Sequence, residues 1–229
     1  MTEMVNCHDL SKTYRPDHLA VDALSDVELS IAEGEFVTLV GPSGSGKTTL
    51  LNLIGGLDKP TGGEVHLRGQ RIDTLSAGEL ADLRLHDVGF VFQAYNLIPV
   101  LTARENVELV MELQGVDSAE RERLSREILH EVGLEGREDR RPAELSGGQQ
   151  QRVAVARAIV SHPAVVLADE PTANLDSQTA SSLLELMREL NESRGITFVI
   201  YTHDPMVMDF AKRRVTLHDG RIVDDTVAA

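Results

Sequence analysis

A chain of 229 residues, 41% hydrophobic and 26% charged, has the composition of an ordinary globular protein and enough length for one large or two small domains with a full core. Its formal net charge of −15 argues against nucleic acid as a partner, which needs basic patches, and leaves docking to a protein open. No apolar run approaches the roughly 18 residues of a membrane span, the N-terminus lacks a signal-peptide pattern, and the lone Cys7 has no internal disulfide partner, which fits a reducing compartment and a buried small side chain.

Met4 to Leu10 and Val27 to Ile31 read as strands, the second by clean alternation. Between them Ser11 to Arg15 reads as a polar loop carrying Tyr14. In a chain with only 3% aromatic residues, an aromatic just upstream of a nucleotide site would be a candidate to stack on the base. Ala32 to Glu35 then turns into Phe36 to Val40, a short apolar strand. Directly after it stand Gly41-Pro42-Ser43-Gly44-Ser45-Gly46-Lys47-Thr48 and Thr49, with a helix from Thr48 to Ile54 stopped by Gly55-Gly56. Strand, glycine-rich loop, Lys-Thr and helix together make a phosphate-binding loop. Glycines let backbone N–H groups turn inward around an anion, and the helix N-terminus adds partial positive charge. Lys47 is placed to reach the β- and γ-phosphates, and the Thr48 hydroxyl to ligate Mg²⁺. This is a nucleoside triphosphate site.

Turns at Pro60 to Gly63 and Arg68 to Arg71 bracket Glu64 to Leu67, short strands expected to form an antiparallel sheet beside the nucleotide core. Capping boxes at Ser76/Glu79 and Thr102/Glu105 open helices to about Leu85 and Leu113, and Asp117 opens another to about Val132. Gly89 to Pro99 reads as strand then loop with a partly exposed apolar patch, the mark of an interface. By these elements a helix-rich insertion spans about Asp82 to Val160.

Leu145-Ser146-Gly147-Gly148-Gln149 opens the last helix of that stretch. Ser146 and Gln149 have capping-box spacing, and Gly147 and Gly148 leave N–H groups open at a positive helix end. A second phosphate-recognising element in a chain that already has one reads as completing a neighbour's site. Val165 to Ala168 is an apolar strand that delivers two acids. Asp169 is placed to hold Mg²⁺ and Glu170 to polarise an attacking water as general base. Ser177 to Arg194 reads as a helix, Ile196 to Tyr201 as a strand, and Val215 to Val223 as a hairpin about Asp219-Gly220.

With the phosphate loop, Leu145 to Gln149, Asp169-Glu170, Asn174-Leu175-Asp176 and Thr202-His203-Asp204 in this order, essentially the whole chain resembles an ATP-binding cassette ATPase. The resemblance implies one α/β domain. Its P-loop NTPase (RecA-like) core, about 1–92 and 161–229, carries an antiparallel β subdomain and an inserted helical subdomain of about 93–160. It implies a homodimer around two Mg-ATP, with Ser146, Gly147, Gly148 and Gln149 of one subunit facing the γ-phosphate held by the other's loop. Tyr14 matches the adenine-stacking aromatic, Gln93 the glutamine that contacts Mg²⁺ and the attacking water, and His203 the histidine that bonds the γ-phosphate and orients Glu170. Asp176 matches a residue coupling the two sites, beside its local reading as a helix N-cap.

Phe92 to Val107, Gly55 to Asp58 and Leu167 to Thr172 are similar to the macrolide-exporter and lipoprotein-release branch, from which Ala173 departs where glycine is frequent. The implied partner is an integral membrane permease, two copies or a heterodimer, docked around Gln93 to Asn106. That would hold the chain on the cytoplasmic face of the membrane, driving extrusion or transmitting force. Alternatives are a cassette that signals through a permease-like partner to a cell-wall hydrolase, or a non-transport cassette ATPase, which the acidic charge disfavours. The short tail is not expected to form a C-terminal regulatory domain.

Overall fold

The computed structural model describes residues 3–15 and 19–227. Two sheets meet across one apolar core. The smaller, ordered β2-β1-β4-β5, is antiparallel and is made of β1 (Glu3–Tyr14), β2 (Val21–Ala32), β4 (Gly62–Leu67) and β5 (Gln70–Arg71). The larger runs β10-β9-β3-β8-β7-β6. It comprises β3 (Phe36–Val40), β6 (Val88–Val91), β7 (Val165–Asp169), β8 (Thr197–Tyr201), β9 (Arg213–His218) and β10 (Arg221–Val227), with only β10 antiparallel to its neighbour.

Alternation along the parallel strands divides the interior. Val37, Leu39, Val165, Leu167 and Val199 face a core shared with α1 (Lys47–Ile54) and the antiparallel sheet. Phe36, Val166, Ala168, Phe198 and Ile200 face a second core under α5 (Gly147–Ile159) and α6 (Ser177–Arg194). Both faces are covered, so these strands are apolar throughout, as parallel strands are. α3 (Ala103–Leu113) and α4 (Ser118–Glu131) pack on α5 through Val107, Met111, Ile128 and Leu129.

The capping boxes form as the spacing predicts, at Ser76/Glu79, Thr102/Glu105 and Ser146/Gln149. The hairpin turns through Asp219 and Gly220, both at positive φ (46° and 74°). Two readings change. Ser11 to Tyr14 is strand rather than loop, because β1 continues its pairing through Lys12↔Leu24, Thr13↔Asp22 and Tyr14↔Val21 with bulges that hide the alternation. α2 (Ala77–Asp87) buries Leu80 and Leu83 in the nucleotide-side core and β6 joins the large sheet, so the chain leaves that core only after Val91, later than Asp82. A short α7 (Pro205–Phe210), capped by Asp204, follows His203, in a stretch to which the sequence reading assigned no element.

Candidate functional site

β3, β7 and β8 lie side by side, and their C-terminal ends carry the phosphate loop, the Asp169-Glu170 pair and Tyr201 at one rim. Ligands bind outside the carboxyl ends of such strands. The loop hugs the sheet closely. Gly41 has φ 145°, and a Cβ there would lie 2.1 Å from the Leu217 carbonyl oxygen of β9. At Gly46 (φ 100°) it would lie 2.4 Å from the Ala23 carbonyl oxygen, so only glycine fits either turn. Pro42, Ser43, Gly44 and Thr48 are exposed along the loop, Thr49 half-buried.

Lys47 is only 3% exposed. Its ammonium donates to the Gly41 carbonyl (2.8 Å), the Pro42 carbonyl (2.6 Å) and Ser45 Oγ (3.0 Å), and sits over the Tyr201 ring, 4.8 Å from its centroid. Burial lowers its pKa, and the charge of Glu170 works in the opposite direction. Among the described residues no carboxylate forms an ion pair with it. A buried cation held by neutral oxygens is short of an anion, and the open loop beside it is where one would bind.

Asp169 ends β7 half-buried, and burial followed by the neighbouring Glu170 pushes its carboxyl above the usual range. Glu170 has a left-handed backbone (φ 47°), uncommon for a residue with a long side chain and a mark of a site the fold over-determines. Its N–H donates to the Tyr201 carbonyl at 2.9 Å. Its carboxylate, 11% exposed, meets His203 Nδ1 at 2.6 Å, while the His203 side chain is 69% exposed. The structure thus brings Lys47, Asp169, Glu170 and His203 to one rim. Gln93 is exposed, and its carbonyl accepts a hydrogen bond from Asn174 Nδ2 at 3.0 Å.

The Ser146 turn is built separately. Gln149 N–H donates to Ser146 Oγ (3.3 Å) and Ser146 N–H to Gln149 Oε1 (3.0 Å), while Gly147 lies against the Tyr95 hydroxyl. Among the described residues no hydrogen bond joins this turn to the phosphate loop of its own chain. Asp176 caps α6, accepting from the Gln178 and Thr179 N–H groups at 3.1 and 3.0 Å. Tyr14, 38% exposed at the end of β1, donates its hydroxyl to Asp58 (2.9 Å) and has the Lys12 ammonium 4.9 Å from its ring centroid.

Sequence reading missed Tyr201, Gln151 and Arg157. Tyr201 stands opposite Asp169 in the β7–β8 register, and aligning the two strand ends would have found it. Arg157, half-buried with its pKa lowered by burial, donates to the Asn96 carbonyl (2.6 Å) and the Tyr95 carbonyl (3.0 Å), residues at positive φ. It also lines a groove of about 430 Å³ with Leu57, Arg84, Phe90, Phe92 and Val110. The loop beyond exposes Ile98 and Val100, so the expected apolar patch is present.

Comparison with known proteins matches residues 24–173 to the ABC transporter family. The chain is 46% identical over 97% of its length to the macrolide export ATP-binding/permease protein MacB of Brucella melitensis, of which it spans 34%. It is 44% identical over 98% of its length to the lipoprotein-releasing system ATP-binding protein LolD of Geobacter metallireducens, covering 100% of that protein. A dimeric post-hydrolysis structure of the ATP-binding cassette MJ0796, bound to ADP and Pi, superposes with a TM-score of 0.91 at 44% identity, covering 99% of each chain. The same-named protein of Methanocaldococcus jannaschii is 47% identical over 96% of this chain and 95% of its own length. No helix among the described residues is long and apolar enough to cross a membrane. With the family matched across more than half its length and relatives aligned nearly end to end, the chain belongs to the ABC transporter family, as an ATP-binding cassette ATPase.

Proposed function

We propose that this ATPase works as a dimer, closing around two Mg-ATP and driving a separate membrane permease of the macrolide-export or lipoprotein-release kind. The observation that carries the catalytic part is Glu170, held at φ 47° with its carboxylate 2.6 Å from His203 and beside the buried Lys47. Lys47 neutralises charge on the phosphates, Glu170 accepts the proton of the attacking water, and His203 holds Glu170 in line and reaches the γ-phosphate. Tyr14 offers its exposed ring to the adenine. The hard oxygens of Thr48 and Asp169 suit Mg²⁺, and the Asp169 carboxylate accepts no side-chain hydrogen bond among the described residues, which leaves it free to serve as a ligand. Together with the Gln93 amide they would hold the ion, which offsets charge on the β- and γ-phosphates when bound.

The dimer is supported by the Ser146 turn, which stands apart from its own loop, and by the dimeric structure of the similar cassette MJ0796. In such a pair Ser146, Gly147, Gly148 and Gln149 of one copy close on the triphosphate of the other, with Asp176 beside them at the start of α6. The permease is supported by the name of the MacB relative, an ATP-binding/permease protein, and by the groove between α2, β6, α3 and α5, next to the exposed Ile98 and Val100. A permease bound there would keep the ATPase on the cytoplasmic face of the membrane.

Glu170→Gln should bind Mg-ATP normally, dimerise with it in gel filtration, and lose turnover by at least about a hundredfold. Near-normal hydrolysis by that variant would refute the catalytic assignment. Pulled down from native membranes with Mg-ATP, the same variant should recover a permease that Lys47→Ala does not; recovery of soluble partners alone would overturn the transporter reading.

A further inference from the structure

The clamp around Tyr14 is absorbed by none of the roles above. Tyr14 ends β1 paired with Val21, just before Ala23, whose carbonyl oxygen lies against Gly46 of the phosphate loop. Its hydroxyl donates to Asp58 Oδ2 at 2.9 Å. The other carboxylate oxygen, Oδ1, accepts from the Lys12 ammonium and from the Lys59 N–H, both at 2.7 Å. The same ammonium donates to the Lys59 carbonyl at 2.6 Å and lies over the Tyr14 ring, 4.9 Å from its centroid. Lys12 is 8% exposed, so a carboxylate, a carbonyl and a ring face hold its charge in place of water. Asp58 stands just past the end of α1, in a turn where the Leu57 and Asp58 N–H groups donate to the Asn52 carbonyl at 2.8 and 3.3 Å.

We propose that Asp58 and Lys12 are positioning residues for the nucleobase: the carboxylate anchors the Tyr14 hydroxyl and the ammonium covers one face of the ring, so the opposite face is presented to the base at a fixed place relative to the phosphate loop. α1 begins at Lys47, and the carboxylate follows its last turn. One helix of about 12 Å therefore carries the phosphate-binding lysine at one end and the anchor of the ring at the other. A tyrosine at an exposed strand end is otherwise free to turn about two side-chain torsions, and stacking would cost the ordering of both. Held at its hydroxyl and over one face, the ring loses that freedom before a base arrives. A stack reads the π-face and not the base edge, so the clamp strengthens binding of nucleoside triphosphates without choosing among bases.

The inference rests on Tyr14 being the residue that stacks on the base, so the test carries Tyr14→Ala beside Tyr14→Phe and Asp58→Asn. The readouts are steady-state hydrolysis of Mg-ATP by the full chain and its inhibition by Mg-tripolyphosphate, which has no base. Tyr14→Ala should raise KM at least about tenfold. Tyr14→Phe keeps the ring and frees it from Asp58, and Asp58→Asn puts a neutral acceptor where the charged one stood. Each should raise KM about threefold, with kcat within about twofold of wild type and inhibition by tripolyphosphate unchanged. Wild-type KM in either of these two while Tyr14→Ala is impaired would sink this inference alone. Weakened tripolyphosphate inhibition in step with KM would show that the clamp merely supports the phosphate loop, and would overturn it as well. Should Asp58→Asn not fold, with Lys12 deprived of its counterion, Tyr14→Phe at an exposed ring decides by the same two readouts. A Tyr14→Ala protein with wild-type KM would instead bring down the stacking role on which the inference stands.

Discussion

Replacing Gly148 with alanine should destabilise the nucleotide-free protein, although alanine is the better helix former. Gly148 lies in the first turn of α5, and its φ is not positive, so the backbone accepts a side chain. The obstacle is lateral: a Cβ there would lie 2.3 Å from Thr179 Cγ2 on α6. Thr179 cannot swing away freely, because its β-branched rotamer is pinned by the 2.7 Å bond from Oγ1 to Asp176 Oδ2. Overpacking of this kind costs about 1–3 kcal/mol, against a gain of up to about 1 kcal/mol from helix propensity. The net loss of about 1–2 kcal/mol corresponds to a fall in melting temperature of roughly 2–8 °C for a chain this long. Thr179→Ser deletes only the offending methyl and keeps the hydroxyl, so Gly148→Ala combined with Thr179→Ser should recover most of the loss. A double-mutant cycle by thermal or urea unfolding should show a coupling of about 1–2 kcal/mol. A Gly148→Ala protein that melts higher than wild type, or one that Thr179→Ser fails to rescue, would refute the argument. Success would show that the glycines of this turn are needed to bring α5 against α6 and not only to open N–H groups to an anion.

Cys7 is buried, and burial followed by Glu28 raises its thiol from 9.0 to about 12. At pH 8 native labelling by a thiol reagent should be slowed about a thousandfold relative to the unfolded chain, since the thiolate is the reactive form. The unfolded thiol loses its proton first, so its contribution is fully present below pH 9 and falls by about 1.4 kcal/mol per pH unit from there toward 12. Urea unfolding at pH 8 and 10 should show this loss in wild type and not in Cys7→Ala. Arg157→Met removes both donors from the Tyr95 and Asn96 carbonyls; amide exchange over residues 94–97 should rise about tenfold while the middle of α5 stays protected. Unchanged exchange there would show that something else holds the loop.

What was legible in the sequence was what local chemistry dictates. The three capping boxes, the glycine-rich turn and the Asp219-Gly220 hairpin each depend on residues within a few positions of one another, and each formed. What failed depended on distant partners. Ser11 to Tyr14 looks like a loop because Lys12 and Thr13 are polar. They are strand because Lys12 finds Asp58 at 2.7 Å and Thr13 finds Asp22 at 2.8 Å, and bulges break the alternation that would have marked them. The edge of the helical insertion read from the elements alone, Asp82 rather than the 93 implied by the resemblance, came early for the same reason: Leu80 and Leu83 in α2 have the same pattern whichever core they fill. Tyr201 carries no motif, and its place beside Lys47 and Glu170 exists only through pairing of strands far apart in sequence.

α5 joins the two places for which a function is proposed, the Ser146 turn and the groove. Its first turn carries Ser146 and the two glycines, and its far end carries Arg157, so the turn proposed to face nucleotide and the support of the groove loop are one rigid element. Gln151, fully buried on the same helix, donates to the Phe92 carbonyl at 3.4 Å, and Asn174 from beyond β7 holds the Gln93 carbonyl. The loop from Phe92 to Asn96 is therefore tied to α5 at two points and to the loop after the acid-bearing strand at a third. Tyr95 and Asn96 stay at φ 59° and 50° because the Arg157 fork over-determines them. Pulling the loop off α5 would leave a half-buried guanidinium with no acid to replace the lost carbonyls, which is costlier than moving loop and helix together. Any rotation of α5 that carries Ser146 toward a neighbour's triphosphate must then carry Phe92 and Asn96 at the groove with it. The direction of that coupling is fixed by which bonds are expensive to break, and the expensive ones all lie on the α5 side.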